Sequence, residues 1–421
     1  MMAYLSQKVI PPLSINYSSV FNPKLCKIML HSKSYLANLT AIRGIAALLV
    51  VVFHGNELIA PFIKTDVTFW FRKLYLMVDL FFILSGFIMC YVYESYFNAP
   101  QETGQLLGFL KARFARIYPL HFVTLAVSVT MVFITYAIGK YSYLGPVVMA
   151  IDDFSAIPTQ LLLLHSAHTE KIFTWNVPSW SISAEWLAYL LFPFLVKPFS
   201  KFNLPQTYLS IGAIFILYTG LIFYISPNRH MLFPFLKVAA DLDLTYDWGF
   251  ARGILGFILG MCVYRLYRQN ILKNVLGNGW LLAGLTVFYC VYTHFNLSDL
   301  AIPFLFAVFI LSSVYGSKNI NQFFNNSLLQ RLGDWSFSIY MWHAVLYIIA
   351  ANIQLWQLRQ PPVAGPPPPP NYFGLTNTWA ILGIYFALTL LIGALSYRFI
   401  EKPSRRWINS WGRSIGSLQP I

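Results

Sequence analysis

One arginine and one histidine within a single apolar stretch are the residues of this chain best suited to chemistry. The stretch YLANLTAIRGIAALLVVVFHGNELIAPF (residues 35–62) reads as a membrane-spanning helix, with Arg43 near its start and His54 inside its apolar run. Ionisable groups are costly in hydrocarbon, so a histidine buried there indicates a functional site by default. At about 100° and 1.5 Å per residue, the spacing places His54 about 20° past three full turns from Arg43 and about 16 Å further along. Both side chains are therefore predicted to lie on one face.

The composition identifies the environment in which these side chains must be held. The chain is 57% hydrophobic, 18% aromatic and only 10% charged, whereas soluble domains average about 25% charged residues. It is therefore predicted to be a polytopic membrane protein. Its four cysteines show no CxxC or regular spacing, so we expect neither a disulfide framework nor a metal site.

Ten runs of about 20 apolar residues predict an all-α polytopic membrane helix bundle. The predicted spans are 39–60, 74–93, 117–138, 180–197, 207–226, 249–266, 280–296, 299–316, 335–354 and 378–397. With a cytoplasmic N-terminus, most of the 29 Lys and Arg fall in cytoplasmic segments. This bias predicts that both termini are cytoplasmic, and it explains much of the net charge of +14 without nucleic acid as a partner.

Three segments are predicted from the distribution of apolar runs. Residues 1–34 form a basic and disordered tail, residues 35–408 form the transmembrane domain, and residues 409–421 form a short C-terminal tail. The loop at 361–370, PPVAGPPPPP, is expected to be an extended spacer without chemistry. We expect YRFIEKPSRRW (397–407) to be a structural stop at the inner interface.

A carboxylate and two arginines add to the inventory of candidate site residues. Asp79 lies within the second predicted span, where it needs a partner, and a basic residue of the first span is nearest in sequence. Asp79 could orient and charge His54, or it could make a purely structural contact with an arginine or the backbone. Arg113 and Arg116, in KARFARIYPLH, would share a helix face and could grip phosphates, although membrane topology alone would also explain them.

Two later spans carry further polar groups at membrane depth. Glu185, in NVPSWSISAEWLAYLLFPF, predicts a functional pocket, although the tryptophans around it could be interfacial anchors. In LGDWSFSIYMWHAVLY, a histidine about 12 Å into the helix is a site candidate or a satisfied core residue. The outer loop histidines His165 and His168 are expected to be ordinary loop residues. The predicted pocket residues are Trp180, Ser181, Ser183, Tyr340 and His343.

These segments together resemble the acyltransferase 3 family of integral membrane acyltransferases. The resemblance runs from Tyr35 to Trp407 and rests, in order, on LTAIRGIAALLVVVFH, VDLFFILSGF, ARFARIYPLH, VPSWSISAEW, SFSIYMWH and YRFIEKP. The family's arginine, ten residues, histidine signature matches Arg43 and His54. Its paired arginines match Arg113 and Arg116, and its Ser-x-x-Glu-Trp segment corresponds to WSISAEW (180–186), in which Ser183 lies two residues before Glu185.

The resemblance implies an activity and its substrates. Members, of the O-antigen, peptidoglycan and Nod-factor O-acetyltransferase type, move an acyl group, commonly acetyl, from cytoplasmic acyl-CoA to a hydroxyl of an extracytoplasmic or lipid-linked glycan. A bacterial cytoplasmic membrane is implied, with acyl-CoA as the donor substrate and no bound cofactor. Some members carry a fused extracytoplasmic esterase-like domain, which we do not expect here. The acceptor would then reach the membrane core directly, or a separate partner would relay the group.

Combining the resemblance with the spacing yields a mechanistic hypothesis. Arg113 and Arg116 would hold the phosphates of acyl-CoA, and Arg43 would hold a phosphate or brace the thioester carbonyl. His54 would act as general base on the acceptor hydroxyl, or accept the acyl group itself. The carboxylate that orients its imidazole would be Asp79 or Glu185.

Two other classes of protein fit part of the pattern. Intramembrane Arg, His, Asp and Glu also suit a proton-coupled transporter, although the chain shows no repeated halves. A structural subunit of a glycan-synthesis complex is a weaker alternative, and it would tolerate substitution of His54. Release of free thiol from acetyl-CoA, when acceptor is present, would distinguish the enzyme from a transporter.

Overall fold

The computed structural model describes most of the apolar part of the chain. The described residues are 36–59, 62–100, 104–141, 146–229, 240–357 and 374–411. The structure is 80% helical, and no β-strand occurs within these ranges, which confirms the predicted all-α fold. The predicted N-terminal tail and the proline-rich loop lie outside the described residues, and the C-terminal tail is described only as far as Trp411.

Each of the ten predicted apolar runs falls on a helix. The principal helices are α1 (Ala37–His54), α2 (Met77–Asn98), α3 (Gln105–Ala137), α4 (Trp180–Ser200), α5 (Leu204–Gly220), α6 (Gly249–Arg268), α7 (Gly279–His294), α8 (Ile302–Val314), α9 (Lys318–Phe324), α10 (Ser327–Trp356), α11 (Thr378–Ser396) and α12 (Lys402–Ser410). A short π-helical segment joins α11 to α12.

Not every one of these helices is long enough to cross a membrane alone. Eight helices of the described residues have the necessary length and composition, and a ninth span arises if α8 and α9, bent by 103°, count as one. Helix α7 has 16 residues, about 24 Å at 1.5 Å per residue, against a hydrocarbon core of about 30 Å. The orientation of the termini stays a prediction.

Helix α3 is longer than the apolar run that predicted it. It begins at Gln105, whereas the predicted span begins at residue 117, so the whole KARFARIYPLH segment is helical. Pro119 lies inside the helix. The basic residues of this segment therefore lie in the second to fourth turns of a long helix that continues to Ala137.

Close contacts at glycine bring two helix pairs together. A Cβ atom at Gly333 of α10 would lie 2.1 Å from the carbonyl oxygen of Thr40 in α1. A Cβ at Gly86 of α2 would lie 1.9 Å from the carbonyl oxygen of Phe257 in α6, and Gly260 of α6 approaches α2 equally closely. Small residues permit such backbone contact between membrane helices. These contacts fix α1 against α10 and α2 against α6, and α1, α2 and α10 carry five of the eleven candidate site residues.

Gly260→Ala is expected to destabilise the protein, because its new methyl group would lie 2.0 Å from the carbonyl oxygen of Ile83. Forcing an extra methyl into such a contact costs about 1–3 kcal/mol. Gly212→Ala on α5 is the matched control, since a Cβ there has no atom within 4 Å. Thermal unfolding in detergent should show a lower midpoint for Gly260→Ala only. Equal midpoints for the two variants would contradict the α2–α6 packing.

Candidate active site

A cavity of about 660 Å³ lies between α1, α2, α3, α4 and α10. It extends upward from the end of the bundle at which α1 begins, called here the lower end. The upper end is the one at which α1 reaches His54. The lining of the cavity combines apolar side chains with a set of charged ones. The charged lining residues are Arg43, Arg113, Arg116, Glu185, Asp334 and Arg405.

Arg43 and His54 both face α10. The Nη2 of Arg43 donates a hydrogen bond to the carbonyl oxygen of Gly333 over 3.3 Å, and His54 Nδ1 lies 3.2 Å from His343 Nε2. This confirms that the two residues share one face of α1. Arg43 lines the cavity, whereas His54 lies beyond its upper limit, next to His343.

The two histidines form a hydrogen-bonded chain with a defined direction. His343 Nδ1 lies against the carbonyl oxygen of Tyr340, so this nitrogen carries the proton. In a neutral ring Nε2 of His343 is then an acceptor. His54 Nδ1 lies 3.1 Å from the carbonyl oxygen of Val50 and must likewise be the donor. Assigned from this network, the basic lone pair of His54 is on Nε2, the atom that could take a proton from a substrate.

Tyr340 and Ser181 close the upper part of the cavity. The Tyr340 hydroxyl lies 2.7 Å from Ser181 Oγ and donates to the carbonyl oxygen of Pro178 over 3.0 Å. The ring of Tyr340 is centred 5.4 Å from that of His343. Two of the predicted pocket residues therefore line the cavity, and Tyr340 separates it from the histidine pair.

Glu185 lines the cavity but does not contact the histidines. Its Oε1 accepts hydrogen bonds from Ser85 Oγ, over 2.8 Å, and from the hydroxyl of Tyr189. The hypothesis that Glu185 or Asp79 orients the imidazole of His54 is therefore wrong, because both carboxylates bond to other groups. His343 contacts Nδ1 of His54 instead, because α10 packs directly along α1.

Asp79 is engaged elsewhere in the bundle. Its two carboxylate oxygens accept from Nε and Nη2 of Arg252 over 2.9 and 2.6 Å, and both side chains are fully buried. The guanidinium also lies over the ring of Trp180, 5.3 Å from its centre. The prediction that Asp79 pairs with a basic residue of the first span is therefore wrong. The tight α2–α6 contact brings Arg252 of α6 to Asp79 instead. Trp180 braces this ion pair and is not among the cavity-lining residues.

Ser183 and His165 make structural contacts, and Nε2 of His165 lies 3.1 Å from Ser179 Oγ. Ser183 Oγ donates to the carbonyl oxygen of Leu163 over 2.8 Å and so ties α4 to the preceding loop. Burial, with a further contribution from His121, lowers the pKa of His165 to about 3, so its ring is neutral.

Among the described residues no cluster of three or more His, Cys, Asp or Glu side chains could hold a metal ion.

Arg113 and Arg116 both reach the cavity, which confirms their shared helix face. Arg113 Nη2 donates to the hydroxyl of Tyr93 over 2.8 Å, and its guanidinium lies 5.1 Å from the centre of that ring. Arg116 forms an ion pair with Glu401, whose other oxygen accepts from Ser338 Oγ over 2.9 Å. The 397–407 segment, expected to be only a structural stop, thus contributes to the site.

Several residues of this region were not predicted from the sequence. Arg252 lies three residues inside the apolar run 249–266, and its charge at that depth was a usable signal. Arg405 follows the last predicted span, where a basic residue is ordinary. Ser85 and Tyr189 carry no charge and become recognisable only by their contacts with Glu185.

Comparison with known proteins identifies the family. A sequence profile of the acyltransferase 3 family, described as an acyltransferase domain, matches residues 36–409, so the chain belongs to that family. This confirms the resemblance drawn from the motifs. Together with its apolar helices, family membership makes the protein an integral membrane member of an acyltransferase family.

Individual relatives are distant but cover most of the chain. Acyltransferase MdmB of Streptomyces mycarofaciens is 25% identical over 346 residues, which cover 78% of this chain and 80% of MdmB. Peptidoglycan O-acetyltransferase OatA of Listeria monocytogenes is 24% identical over 397 residues, 89% of this chain and 57% of OatA. O-acetyltransferase OatA of Staphylococcus aureus is 22% identical over 404 residues, which cover 90% of this chain and 58% of that OatA. The chain therefore spans less than two thirds of either OatA. No solved structure matches it.

Proposed function

We propose that this protein is a membrane O-acyltransferase that transfers an acyl group, acetyl in the first instance, from acyl-CoA to a hydroxyl of an extracytoplasmic or lipid-linked glycan. The observation that carries the proposal is the arginine-lined cavity whose upper end meets Tyr340, the neighbour of the His343–His54 pair. The names of the two OatA relatives, as O-acetyltransferases, support the choice of acetyl. The peptidoglycan named for one of them supports a glycan acceptor.

The donor would enter at the lower end, which we place on the cytoplasmic side. The guanidinium groups of Arg43, Arg113 and Arg116 suit the phosphates of coenzyme A, since arginine binds phosphate in a bidentate manner. Arg43 and His54 are about 16 Å apart along α1. An extended pantetheine arm would bridge that interval and bring the thioester past Tyr340 to the histidine pair.

The histidine pair supplies the acid–base chemistry. Nε2 of His54 would take the proton of the acceptor hydroxyl as its oxygen attacks the thioester carbonyl. Collapse of the tetrahedral intermediate breaks the carbon–sulfur bond, and the leaving thiolate takes the proton back from the imidazolium. While His54 is protonated, its Nδ1–H stays bonded to His343 Nε2 and to the carbonyl oxygen of Val50. Those two acceptors stabilise the charged ring.

The acceptor would approach from the upper end, where α1 finishes at His54. Donor and acceptor would then meet from opposite sides of one bundle, as an enzyme acting across a bacterial cytoplasmic membrane requires. A separate extracytoplasmic partner could take over the acyl group where the final acceptor cannot reach the membrane. In either arrangement His54 is the group that activates the receiving hydroxyl.

Thioester consumption tests the proposal directly. Purified protein in lipid nanodiscs would be given acetyl-CoA and a membrane extract that contains lipid-linked saccharides, and free thiol would be titrated. We expect acceptor-dependent release of thiol. A proton-coupled transporter, the alternative class, would release none, and that result would refute the proposal.

Arg113→Gln is expected to raise the KM for acetyl-CoA about 10- to 100-fold, because it removes a charge-assisted hydrogen bond to a donor phosphate. The effect on kcat should be small, since this binding is the same in the ground and transition states. Arg331→Gln is the matched control, an exposed arginine of α10 at the same end. Steady-state kinetics at varied concentrations of acetyl-CoA would measure the KM and kcat of both variants. An unchanged KM for Arg113→Gln would contradict the assigned donor site.

A further inference from the structure

Helix α4 places Glu185 midway along one wall of the cavity. Three cavity-lining polar residues occupy successive turns of this helix, namely Ser181, Glu185 and Tyr189. At the upper turn, Ser181 Oγ lies 2.7 Å from the hydroxyl of Tyr340. At the lower turn, the ring of Tyr189 is centred 5.8 Å from the guanidinium carbon of Arg113. Four residues rise about 6 Å along a helix, so Glu185 lies one turn from each of these contacts.

Helix α2 gives the same order from the neighbouring wall. Its cavity-lining residues at four-residue spacing are Phe81, Ser85 and Met89. The ring of the first is centred 6.0 Å from that of Tyr340, and the hydroxyl of the second donates to Glu185 Oε1 over 2.8 Å. The sulfur of the third lies 3.7 Å from Nη1 of Arg113. Contacts of two helices therefore place Glu185 between Tyr340 and Arg113.

The carboxylate of Glu185 has one engaged oxygen and one open to a ligand. Oε1 accepts from Ser85 and from the hydroxyl of Tyr189, whereas Oε2 accepts no hydrogen bond from the side chains and backbone that the structure describes. Carboxylate oxygens are strong acceptors, and leaving one unsatisfied in a partly buried site is costly. A ligand in the cavity that donates a hydrogen bond would remove this cost.

The charge of Glu185 restricts which part of the donor it can bind. A carboxylate repels the phosphates of coenzyme A and, when ionised, only accepts hydrogen bonds, so its partner must be a neutral donor group. The pantetheine arm carries two amide N–H groups between its diphosphate and its sulfur, and its hydroxyl adjoins the diphosphate. With a phosphate at Arg113 and the thioester passing Tyr340, the amides are the donors that pass Glu185.

We propose that Glu185 Oε2 accepts a hydrogen bond from an amide N–H of the pantetheine arm of the acyl-CoA donor. The inference rests on the proposed acyltransferase function. It assigns Glu185 to donor binding and gives it no part in proton transfer. The arm held in this way aligns the thioester with the histidine pair.

Donor analogues that lack a single amide N–H test the assignment. Two analogues of acetyl-CoA, each with an ester oxygen in place of one amide N–H, would be compared with acetyl-CoA in thiol-release kinetics on the full-length protein. For wild-type protein we expect one analogue to show a KM about 10- to 100-fold higher, the range for a hydrogen bond to a charged group. The analogue with the higher KM identifies the amide that is bound.

Glu185→Gln is the variant matched to these analogues. Its amide oxygen can still accept from Ser85 and Tyr189, but an NH₂ group replaces Oε2 and cannot accept from an N–H. The ratio of the KM values for analogue and acetyl-CoA should therefore fall to about 1. A changed attraction for the phosphates would affect all three donors equally and leave that ratio unaltered. Glu170→Gln, the same exchange outside the cavity lining, is the control and should keep the wild-type ratio.

Binding of free coenzyme A and its two ester analogues, measured by calorimetry, gives a readout without turnover. Equal affinity of wild-type protein for all three would overturn the assignment without any variant. A wild-type ratio in a folded Glu185→Gln protein, as judged by its thermal unfolding midpoint, would also overturn it, even if kcat falls. Either result leaves the proposed function standing. If wild-type protein neither binds coenzyme A nor releases thiol, the proposed function fails as well.

Discussion

His54→Gln is expected to lower the rate of acyl transfer about 10²- to 10⁴-fold, the range that general base catalysis contributes. The side chain of glutamine fills similar space but has no basic nitrogen at the position of Nε2. The loss should appear in kcat, because the base acts in the transition state and adds little to substrate binding. Acetyl transfer at saturating acetyl-CoA, by purified protein of verified folding, is the measurement.

Two substitutions of His343 test how the hydrogen bond to His54 contributes to activity. His343→Gln can still accept a hydrogen bond from Nδ1 of His54, so it should lose less activity than His343→Ala, which cannot. His294→Ala is the control, since this exposed histidine at the end of α7 lies away from the cavity and its Nδ1 lies 2.9 Å from the hydroxyl of Thr68. Full activity of His54→Gln would remove His54 from the chemistry. Identical losses in the two His343 variants would contradict the hydrogen-bonded chain.

Asp79→Asn is expected to destabilise the protein, because it leaves the guanidinium of Arg252 buried without its counter-charge. Breaking a buried pair by neutralising one partner costs about 3–5 kcal/mol. The midpoint of thermal unfolding should fall steeply, together with the yield of folded protein. By contrast, Arg268→Gln should lower the free energy of unfolding by less than about 1 kcal/mol. The Arg268 side chain, which pairs with Glu94, is 52% exposed.

A double variant distinguishes a structural pair from a catalytic one. Asp79→Leu with Arg252→Met replaces both charges by apolar groups, an exchange that is often neutral for stability or better. We expect the double variant to recover most of the unfolding midpoint and measurable acyl transfer. A different result, in which Asp79→Asn keeps wild-type stability and loses activity, would return Asp79 to the catalytic group and contradict the structure.

Spacing within one helix was enough to predict part of this site. The eleven-residue interval between Arg43 and His54 fixes a common face because helix geometry is regular, and both residues do face α10. The same reasoning holds for Arg113 and Arg116, which share the cavity. The all-α fold followed from runs of apolar residues alone, and eight or nine spans of sufficient length lie within the described residues, against about ten predicted.

Pairing between helices was beyond the reach of the sequence. Asp79 could have met any buried cation, and its partner Arg252 is 173 residues away, brought close by glycine contacts that hydropathy does not reveal. A carboxylate was expected beside His54, but His343 lies there instead. The sequence does not show this because packing sets the register of α10 against α1. Arg405 looked like an ordinary basic residue after a span because its place in the cavity depends on α12 folding back on α3.

Transfer of label from acetyl-CoA tests the central claim most directly. Membranes of the native host that contain either the wild-type protein or His54→Gln, in equal amounts, would be incubated with acetyl-CoA radiolabelled in the acetyl group. Wild-type membranes should gain label in glycan or lipid-linked saccharide, released as acetate by mild base, whereas His54→Gln membranes should not. Equal base-labile incorporation in the two preparations, or none with wild-type protein, would contradict an acyltransferase that works through His54.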